Sequence, residues 1–196
     1  MIKVVIFDYD GTLLNTFSGV NRFSSLAKIL CFKYLKRCYL LLEVLETCLG
    51  IRWPLHAPGI ACISHIRESV RIGIATGRSE LGLIRSAHRS GMNLRLMDFI
   101  HVRSSISDAW GAPDQHALVL RSHGRKETPQ GLASIMRWLT AHGISPSEVL
   151  FVGDDETDRQ AAAIHSFGFV MVDRYCPNFG LVYRLIVQET SEAPGI

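Results

Sequence analysis

The sequence lacks any uncharged apolar run of the length that a membrane span requires. A transmembrane helix needs about 20 consecutive apolar residues, and the most apolar stretch, residues 26–51, contains four basic and two acidic side chains. The first apolar run, residues 4–7, ends at Asp8, so we expect no secretory signal peptide. These absences indicate a globular chain with no transmembrane segment.

Cysteine pairs at the spacing of a metal or redox motif are also absent. The five cysteines lie at positions 31, 38, 48, 62 and 176, an odd number without a C-x-x-C pair. This pattern favours neither a disulfide framework nor a zinc site. We therefore predict free, mostly buried thiols and a cytoplasmic protein.

Lysine is scarce and unevenly placed. Only five of the 21 basic residues are lysines, and beyond residue 37 Lys126 is the only one. Because an ammonium is a compact point charge, Lys126 is a candidate contact for both a carboxylate and a phosphate. A plain surface lysine is the alternative.

The net charge of +3 arises from one segment. Residues 15–60 contain six basic and two acidic groups, and the acids are Glu43 and Glu46. This local excess suits an anionic substrate or an anionic partner surface.

Short apolar runs alternate with helical patterns along the chain. The runs typical of buried parallel strands are residues 3–7, 70–75, 96–102, 149–152 and 167–172. Helical periodicity predicts helices over residues 60–69, 79–90, 129–142 and 156–166. This alternation predicts an α/β fold, a Rossmann-like parallel sheet with flanking helices.

Residues 15–58 break this alternation and form a helix-rich segment. Apolar residues at positions 27, 31, 34, 38, 41, 45 and 48 share one helical face, and Lys28, Lys33, Lys36 and Arg37 lie outside that face. We predict a small helical cap here, inserted into an α/β core made of residues 1–14 and 59–196. The apolar face could pack within the cap, against the core or across a homo-oligomer. The basic side chains either face solvent or contact a phosphorylated macromolecule, an anionic surface or a partner helix.

Carboxylates follow two of the predicted strands where each strand ends. Asp8 and Asp10 follow the first strand, and Asp154, Asp155 and Asp158 follow the fourth, which accounts for five of the nine aspartates. The carboxyl ends of parallel strands meet at one edge of a sheet, where these carboxylates repel one another unless a cation neutralises them. Oxygen ligands suit magnesium. Turn formation or helix capping is the alternative role for these aspartates.

Two further polar segments lie next to predicted strands or helices. With the two aspartate-containing segments they make a set of four. A strand is followed by residues 76–78 (TGR), and residues 126–129 (KETP) lie at a predicted helix start. Arg78 is expected to pair with a surface carboxylate or to contact the substrate.

With residues 8–13 (DYDGTL) and 153–158 (GDDETD), these segments resemble, in order and spacing, the four-motif signature of the haloacid dehalogenase superfamily. Most members of that superfamily are magnesium-dependent phosphatases.

The resemblance implies a role for each matching residue. Asp8 would be the nucleophile that forms an aspartyl-phosphate, and Asp10 would be the general acid and base. Thr76 and the backbone amide of Gly77 would hold the phosphoryl oxygens, and Lys126 would bridge Asp8 and the phosphate.

The same resemblance implies a magnesium site. Asp8, the backbone carbonyl of Asp10, Asp154 and Asp155 would ligate Mg²⁺, and Asp158 would support the site. How Asp155 and Asp158 divide the work of completing and orienting the metal shell stays open.

The aspartate at position 10 distinguishes branches of the superfamily. Phosphatases have it, whereas dehalogenases and the phosphonate-cleaving branch do not. We therefore predict a magnesium-dependent phosphomonoester hydrolase acting on a small phosphorylated metabolite. The alternatives are a phosphatase of a nucleic-acid end or a phosphoprotein, a phosphomutase, and a non-catalytic binding protein that uses the basic cap.

Overall fold

The computed structural model describes residues 1–16, 39–104 and 118–191. Most of the basic face of the predicted cap, including Lys28, Lys33, Lys36 and Arg37, lies outside the described residues. The apolar face of the cap, up to position 38, lies outside them as well.

Six parallel strands form one sheet in the order β4-β3-β2-β1-β5-β6. The strands are β1 (Val4–Asp8), β2 (Arg71–Ala75), β3 (Phe99–Arg103), β4 (Leu118–Ser122), β5 (Val149–Gly153) and β6 (Gly168–Met171). The central strand β1 pairs with β2 and β5, and Asp8 lies opposite Ala75. The predicted α/β fold with a Rossmann-like parallel sheet is confirmed.

Helices cover both faces of the sheet. They are α2 (Ala57–Ile66), α3 (Glu80–Ser90), α4 (Ala133–Ala141), α5 (Glu156–Ile164) and α6 (Gly180–Ser191), and they are preceded in the chain by α1 (Tyr39–Leu49). Helix α3 begins at its cap residue Ser79, whose hydroxyl accepts a hydrogen bond from Gly82 N, and ends at Gly91 in the left-handed conformation. Helix α1 lies within the predicted cap.

Strand β4 and helix α6 were not predicted from the sequence. Strand β4 is an edge strand, and four of its five residues are partly or fully exposed, so it lacks the continuous apolar run of a central strand. Helix α6 packs against α2, and its buried residues Val182 and Ile186 lie beside exposed Leu181, Tyr183 and Leu185. This mixture obscures the helical period of α6.

Alternate residues of the central strands face opposite helical layers. Val5 and Phe7 of β1 pack with α2, α3 and α6, whereas Val4 and Ile6 pack with α4 and α5. Because both faces are covered, every residue of β1 and β5 is buried. The sheet is therefore a rigid platform for the residues at its carboxyl edge.

The two ends of the predicted cap lie side by side. Asn15 N donates to Pro54 O at 2.8 Å, and His56 N donates to Leu13 O at 2.9 Å. The cap boundaries at residues 14/15 and 58/59 stay predictions, and α2 begins at Ala57 rather than at residue 60.

The described cysteines differ in part from the expectation. Cys48, Cys62 and Cys176 are free thiols, as predicted, but Cys48 and Cys176 are exposed. Burial raises the pKa of the Cys62 thiol to about 11. In the part of the chain that the structure describes, no helix has the length and apolar character to cross a membrane.

Gly73 of β2 provides a test of core packing. A Cβ at Gly73 would overlap the ring of Phe99, whose centroid lies 4.6 Å from that of Trp138. We expect Gly73→Ala to lower the free energy of unfolding by about 1–3 kcal/mol, because the ring has no room to shift. Urea denaturation measures this loss.

The matched control is Gly168→Ala in β6, where the new Cβ would lie 3.3 Å from a Leu150 methyl and 3.5 Å from the Val149 carbonyl oxygen, without the overlap found at Gly73. We expect a change within about 0.5 kcal/mol for this variant. Equal losses in the two variants would contradict the packing argument.

Candidate active site

The carboxyl ends of β1, β2 and β5 bring the predicted site residues together. Asp8 is the last residue of β1, Thr76 follows β2 and Asp154 follows β5. Since β2 and β5 flank β1, these three positions are neighbours at one edge of the sheet. The side chain of Asp8 is fully buried.

Lys126 links two of the buried carboxylates. Its Nζ donates to Asp8 Oδ1, and it donates to Asp158 Oδ1 at 2.7 Å. Asp8 and Asp158 are fully buried, and Lys126 is 8% exposed. Lys126 is therefore an internal counter-ion rather than a surface lysine, and the preference for lysine at this position has a structural reason.

Three carboxylates form a cluster that fits a divalent cation. Oxygens of Asp8, Asp154 and Asp158 all lie within 4.8 Å of one another. The Asp154 carboxylate lies over Gly11, whose φ is +92° and whose missing Cβ would overlap that carboxylate. Carboxylate oxygens are the ligands that Mg²⁺ prefers, so the residues present fit this ion.

The three aspartates after β5 have different surroundings. Asp155 caps α5, and its Oδ1 accepts from Thr157 N at 3.0 Å and from Asp158 N at 3.1 Å. Asp158 Oδ2 accepts from Asp154 N at 3.2 Å. The geometry therefore groups Asp158, rather than Asp155, with Asp8 and Asp154, and a metal role for Asp155 stays a prediction.

Arg174 is a cation beside this cluster that the sequence analysis missed. It follows β6, and its Nε donates to Asp154 Oδ2 at 2.6 Å, with a second contact from its terminal nitrogen. Burial lowers the pKa of Arg174, but Asp154 and the nearby Asp155 and Tyr175 together raise it, so the net pKa lies above its ordinary value. A lone arginine after the fifth predicted strand was the only sequence signal.

Asp10 is held by a second arginine, Arg78. Arg78 Nε donates to Asp10 Oδ2 at 2.8 Å, and its terminal nitrogen donates to Oδ1 at 2.6 Å. The opposite side of the guanidinium donates to Glu46 at 2.7 and 2.8 Å. The expectation that Arg78 pairs with a surface carboxylate is wrong, because Arg78, Asp10 and Glu46 are all buried.

The charge of Arg78 is stabilised by these two carboxylates. Burial alone would lower its pKa, yet Asp10 and Glu46 together raise it well above the ordinary value. Asp10 also accepts a hydrogen bond from Thr16 Oγ1 at 2.8 Å. The Asp10 carboxylate is thus held from two directions.

Thr76 and Gly77 follow β2, and Thr76 lies beside Asp10. Thr76 is buried, and its Oγ1 lies 3.5 Å from Asp10 Oδ2 and accepts from Arg78 N at 3.2 Å. Gly77 is half-buried beside it. Their predicted role in binding phosphate stays a prediction.

His101 lies close enough to the site to interact electrostatically with Lys126. It is buried, and burial, followed by the positive charge of Lys126, lowers its pKa to about 3. His101 is therefore uncharged at neutral pH.

Comparison with solved structures gives consistent matches across nearly the whole chain. A haloacid dehalogenase-superfamily hydrolase from Ehrlichia chaffeensis is 19% identical, with a TM-score of 0.53 over 96% of this chain and 98% of that one. A Lactobacillus plantarum protein, provisionally described as a phosphoglycolate phosphatase, is 21% identical, with a TM-score of 0.53 over 86% of each chain. No family model and no curated protein sequence matches.

The chain has the haloacid dehalogenase fold. A Bacillus subtilis protein of this fold, YfnB, was solved bound to magnesium and is 12% identical, with a TM-score of 0.54 over 87% of this chain and 86% of that one. L-2-haloacid dehalogenases match as well. The resemblance of the four motifs to the superfamily is therefore confirmed at the level of the fold.

Removal of Lys126 tests its role as the internal counter-ion. We expect Lys126→Met to lower the free energy of unfolding by about 3–5 kcal/mol in the presence of chelator, because the carboxylates of Asp8 and Asp158 lose a buried partner. Chemical denaturation followed by circular dichroism measures this loss.

The matched control is Arg125→Met, since the Arg125 side chain is 68% exposed and lies 4.0 Å from Glu127. We expect a change within about 0.5 kcal/mol there. A loss in Lys126→Met no larger than in this control would contradict the assignment.

Proposed function

We propose that this protein is a magnesium-dependent phosphatase that hydrolyses phosphate monoesters of small metabolites through an aspartyl-phosphate on Asp8. The observation that carries the proposal is the buried contact of Lys126 with Asp8, beside Asp154 and Asp158 at the carboxyl edge of the sheet. An ammonium at hydrogen-bond distance favours the ionised form of a carboxylate, and that form is the nucleophile.

The reaction has two steps. In the first, an Asp8 carboxylate oxygen forms a bond to phosphorus, the bond from phosphorus to the alcohol oxygen breaks, and Asp10 gives that oxygen a proton. In the second, a water molecule loses a proton to Asp10 and bonds to phosphorus, and the bond to Asp8 breaks. The products are the alcohol and inorganic phosphate. Asp8 ends as a carboxylate, and Asp10 begins and ends the cycle protonated. The ion pair between Asp10 and Arg78 in this structure belongs to the ionised form of Asp10, which is the form that takes the proton from water in the second step.

Two sets of residues assist these steps. Thr76 Oγ1 and the Gly77 amide lie on the flank of Asp8 and would donate to the phosphoryl oxygens, as the family resemblance implies. Asp8 and Asp154 would hold Mg²⁺, with Asp158, Asp155 or the Asp10 carbonyl completing the shell. When bound, the ion supplies positive charge that offsets the repulsion between the phosphate dianion and the aspartates.

Asp10 favours phosphatase over dehalogenase chemistry, although both occur among proteins with this fold. Hydrolysis of a phosphate ester requires a group that protonates the leaving oxygen, and Asp10 lies two residues from the nucleophile, next to Thr76. The cytoplasmic location stays a prediction. A homo-oligomer formed through the cap and a macromolecular substrate bound by the basic cap stay alternatives, because the cap's basic face lies outside the described residues.

A phosphatase assay tests the proposal directly. Purified protein is incubated with p-nitrophenyl phosphate and a panel of phosphorylated metabolites, with Mg²⁺ or with chelator, and released phosphate is measured. We expect Mg²⁺-dependent release, and a fall of more than about 1,000-fold in Asp8→Asn, because the covalent step is lost.

The control is Asp98→Asn, at the amino end of β3, where Asp98 Oδ2 accepts from Ile72 N at 2.7 Å and an amide oxygen can do the same. Its activity should equal that of the wild type. Phosphate release by folded Asp8→Asn at the wild-type rate would refute the aspartyl-phosphate route.

Arg174 provides a test of the metal site that does not need turnover. Because the guanidinium binds the Asp154 carboxylate that would also ligate Mg²⁺, we expect Arg174→Gln to bind Mg²⁺ about 10-fold more tightly, a difference of about 1.4 kcal/mol. A titration of Mg²⁺ followed by thermal unfolding measures the affinity.

Arg159→Gln is the control for this titration, since Arg159 lies on α5 but is exposed and pairs with Glu156. Its Mg²⁺ affinity should not change. Weaker binding in Arg174→Gln would indicate that Arg174 supports the metal site instead of competing with the ion.

A further inference from the structure

Helix α1 carries two glutamates on one face, and both bind the segment that follows β2. They are the only acidic residues between positions 15 and 60. Glu43 accepts from Ser79 N and Ser79 Oγ, each at 2.8 Å. Glu46, three residues further along the same helical face, accepts from Arg78 at 2.7 and 2.8 Å. The predicted cap therefore contacts the core through its two acidic side chains.

Arg78 connects Glu46 to Asp10. One edge of the guanidinium donates to both Asp10 oxygens, and the other edge donates to both Glu46 oxygens. The guanidinium is planar, and its donors form a rigid fork, so a bidentate partner on each edge fixes both its position and the orientation of its plane. Movement of one carboxylate must therefore change the geometry at the other.

Glu46 is itself held firmly. Trp53 Nε1 donates to Glu46 Oε1 at 2.6 Å, and Arg89 donates to the Glu46 backbone oxygen at 2.7 Å. The Glu46 side chain is 5% exposed, so its ion pair with Arg78 is shielded from water. A rigid carboxylate of this kind is suited to orient a partner and not only to neutralise it.

We propose that Glu46 is a positioning residue for Asp10, because it orients the Arg78 guanidinium that holds the Asp10 carboxylate. The inference rests on the proposed function, in which Asp10 transfers the protons. Docking of α1 on the core thereby sets the direction in which Asp10 faces the reacting phosphate. A change in the position of α1 would alter the proton-transfer step without altering the residues that touch phosphate.

Glu43 allows the positioning of Asp10 to be distinguished from the docking of α1 on the core. It holds α1 against the start of α3, where a Cβ on Gly82 would overlap the Glu43 side chain, and its carboxylate accepts hydrogen bonds from Ser79. Glu43 and Glu46 thus share the helix, the face and the residue type, but only Glu46 binds the arginine that holds Asp10. Glu43→Gln is therefore the matched control for Glu46→Gln.

The experiment compares the kinetics of these two variants. For Glu46→Gln we expect kcat to fall about 10- to 100-fold, within the range of general acid and base effects, while KM and the inhibition constant of inorganic phosphate stay within about twofold. For Glu43→Gln we expect kcat within about threefold of the wild type. Equal falls in kcat, or a change in KM alone, would overturn the inference.

A double-mutant cycle asks whether Glu46 acts through Asp10. In an Asp10→Asn background, which retains only residual activity, Glu46→Gln should reduce kcat no further, because the group that it positions is absent. If the two substitutions lowered kcat independently, so that their fold-losses multiplied in the double variant, the inference would be overturned. Should Glu46→Gln not fold, Glu46→Asp and Glu43→Asp carry the same comparison, since the shorter side chain cannot span the distance to Arg78.

Crystal structures of the two variants give a result that does not depend on turnover. We expect the Asp10 carboxylate to leave its observed position in Glu46→Gln and to keep it in Glu43→Gln. An unmoved Asp10 in both would overturn the positioning role. If the wild type releases no phosphate from any ester, the proposed function fails, and this structural comparison still decides whether Glu46 positions Asp10.

Discussion

The site depends on burying several carboxylates together, which is possible only because each is paired with a cation. Ionised groups removed from water are costly unless they are paired and hydrogen-bonded. Lys126 binds Asp8 and Asp158, Arg174 binds Asp154, and Arg78 binds Asp10. These three cations come from three different loops at the carboxyl edge of the sheet. The positions of these three loops therefore determine how the carboxylates of the site are neutralised.

The pairs form two groups with different chemistry. Asp8, Asp154 and Asp158 form the cluster that fits a divalent ion. Lys126 and Arg174 neutralise these carboxylates. Asp10 instead belongs to a chain of charges that runs through Arg78 to Glu46 on α1. In the proposed reaction the first group would hold and attack the phosphate, and the second would control the proton. Among the described residues, hydrogen bonds join the second group to the predicted cap at Thr16 and at Glu46.

The central part of the fold was predictable because its signals are local. Strands β1, β2 and β5 are continuous apolar runs, and a polar motif directly follows each of them. Edge strand β4 and helix α6 carried weaker signals, since each mixes buried and exposed residues. The sequence also could not show which aspartate after β5 has which role. Asp155 caps a helix and Asp158 pairs with Lys126, but both are aspartates at nearly the same position in the chain.

The sequence by itself determined the parallel α/β sheet and the set of acidic, hydroxyl and lysine residues at its carboxyl edge. Periodicity and strand-end position are properties of neighbouring residues, so both can be recognised without knowing the fold. Only the tertiary structure decided which charges are paired, because the partners are distant in the chain. Arg78 is 68 residues from Asp10 and 32 from Glu46, and Lys126 is 118 from Asp8. Packing of the helices on the sheet brings these groups within hydrogen-bond distance and removes them from water, which turns an apparent surface arginine into a buried connection between α1 and Asp10.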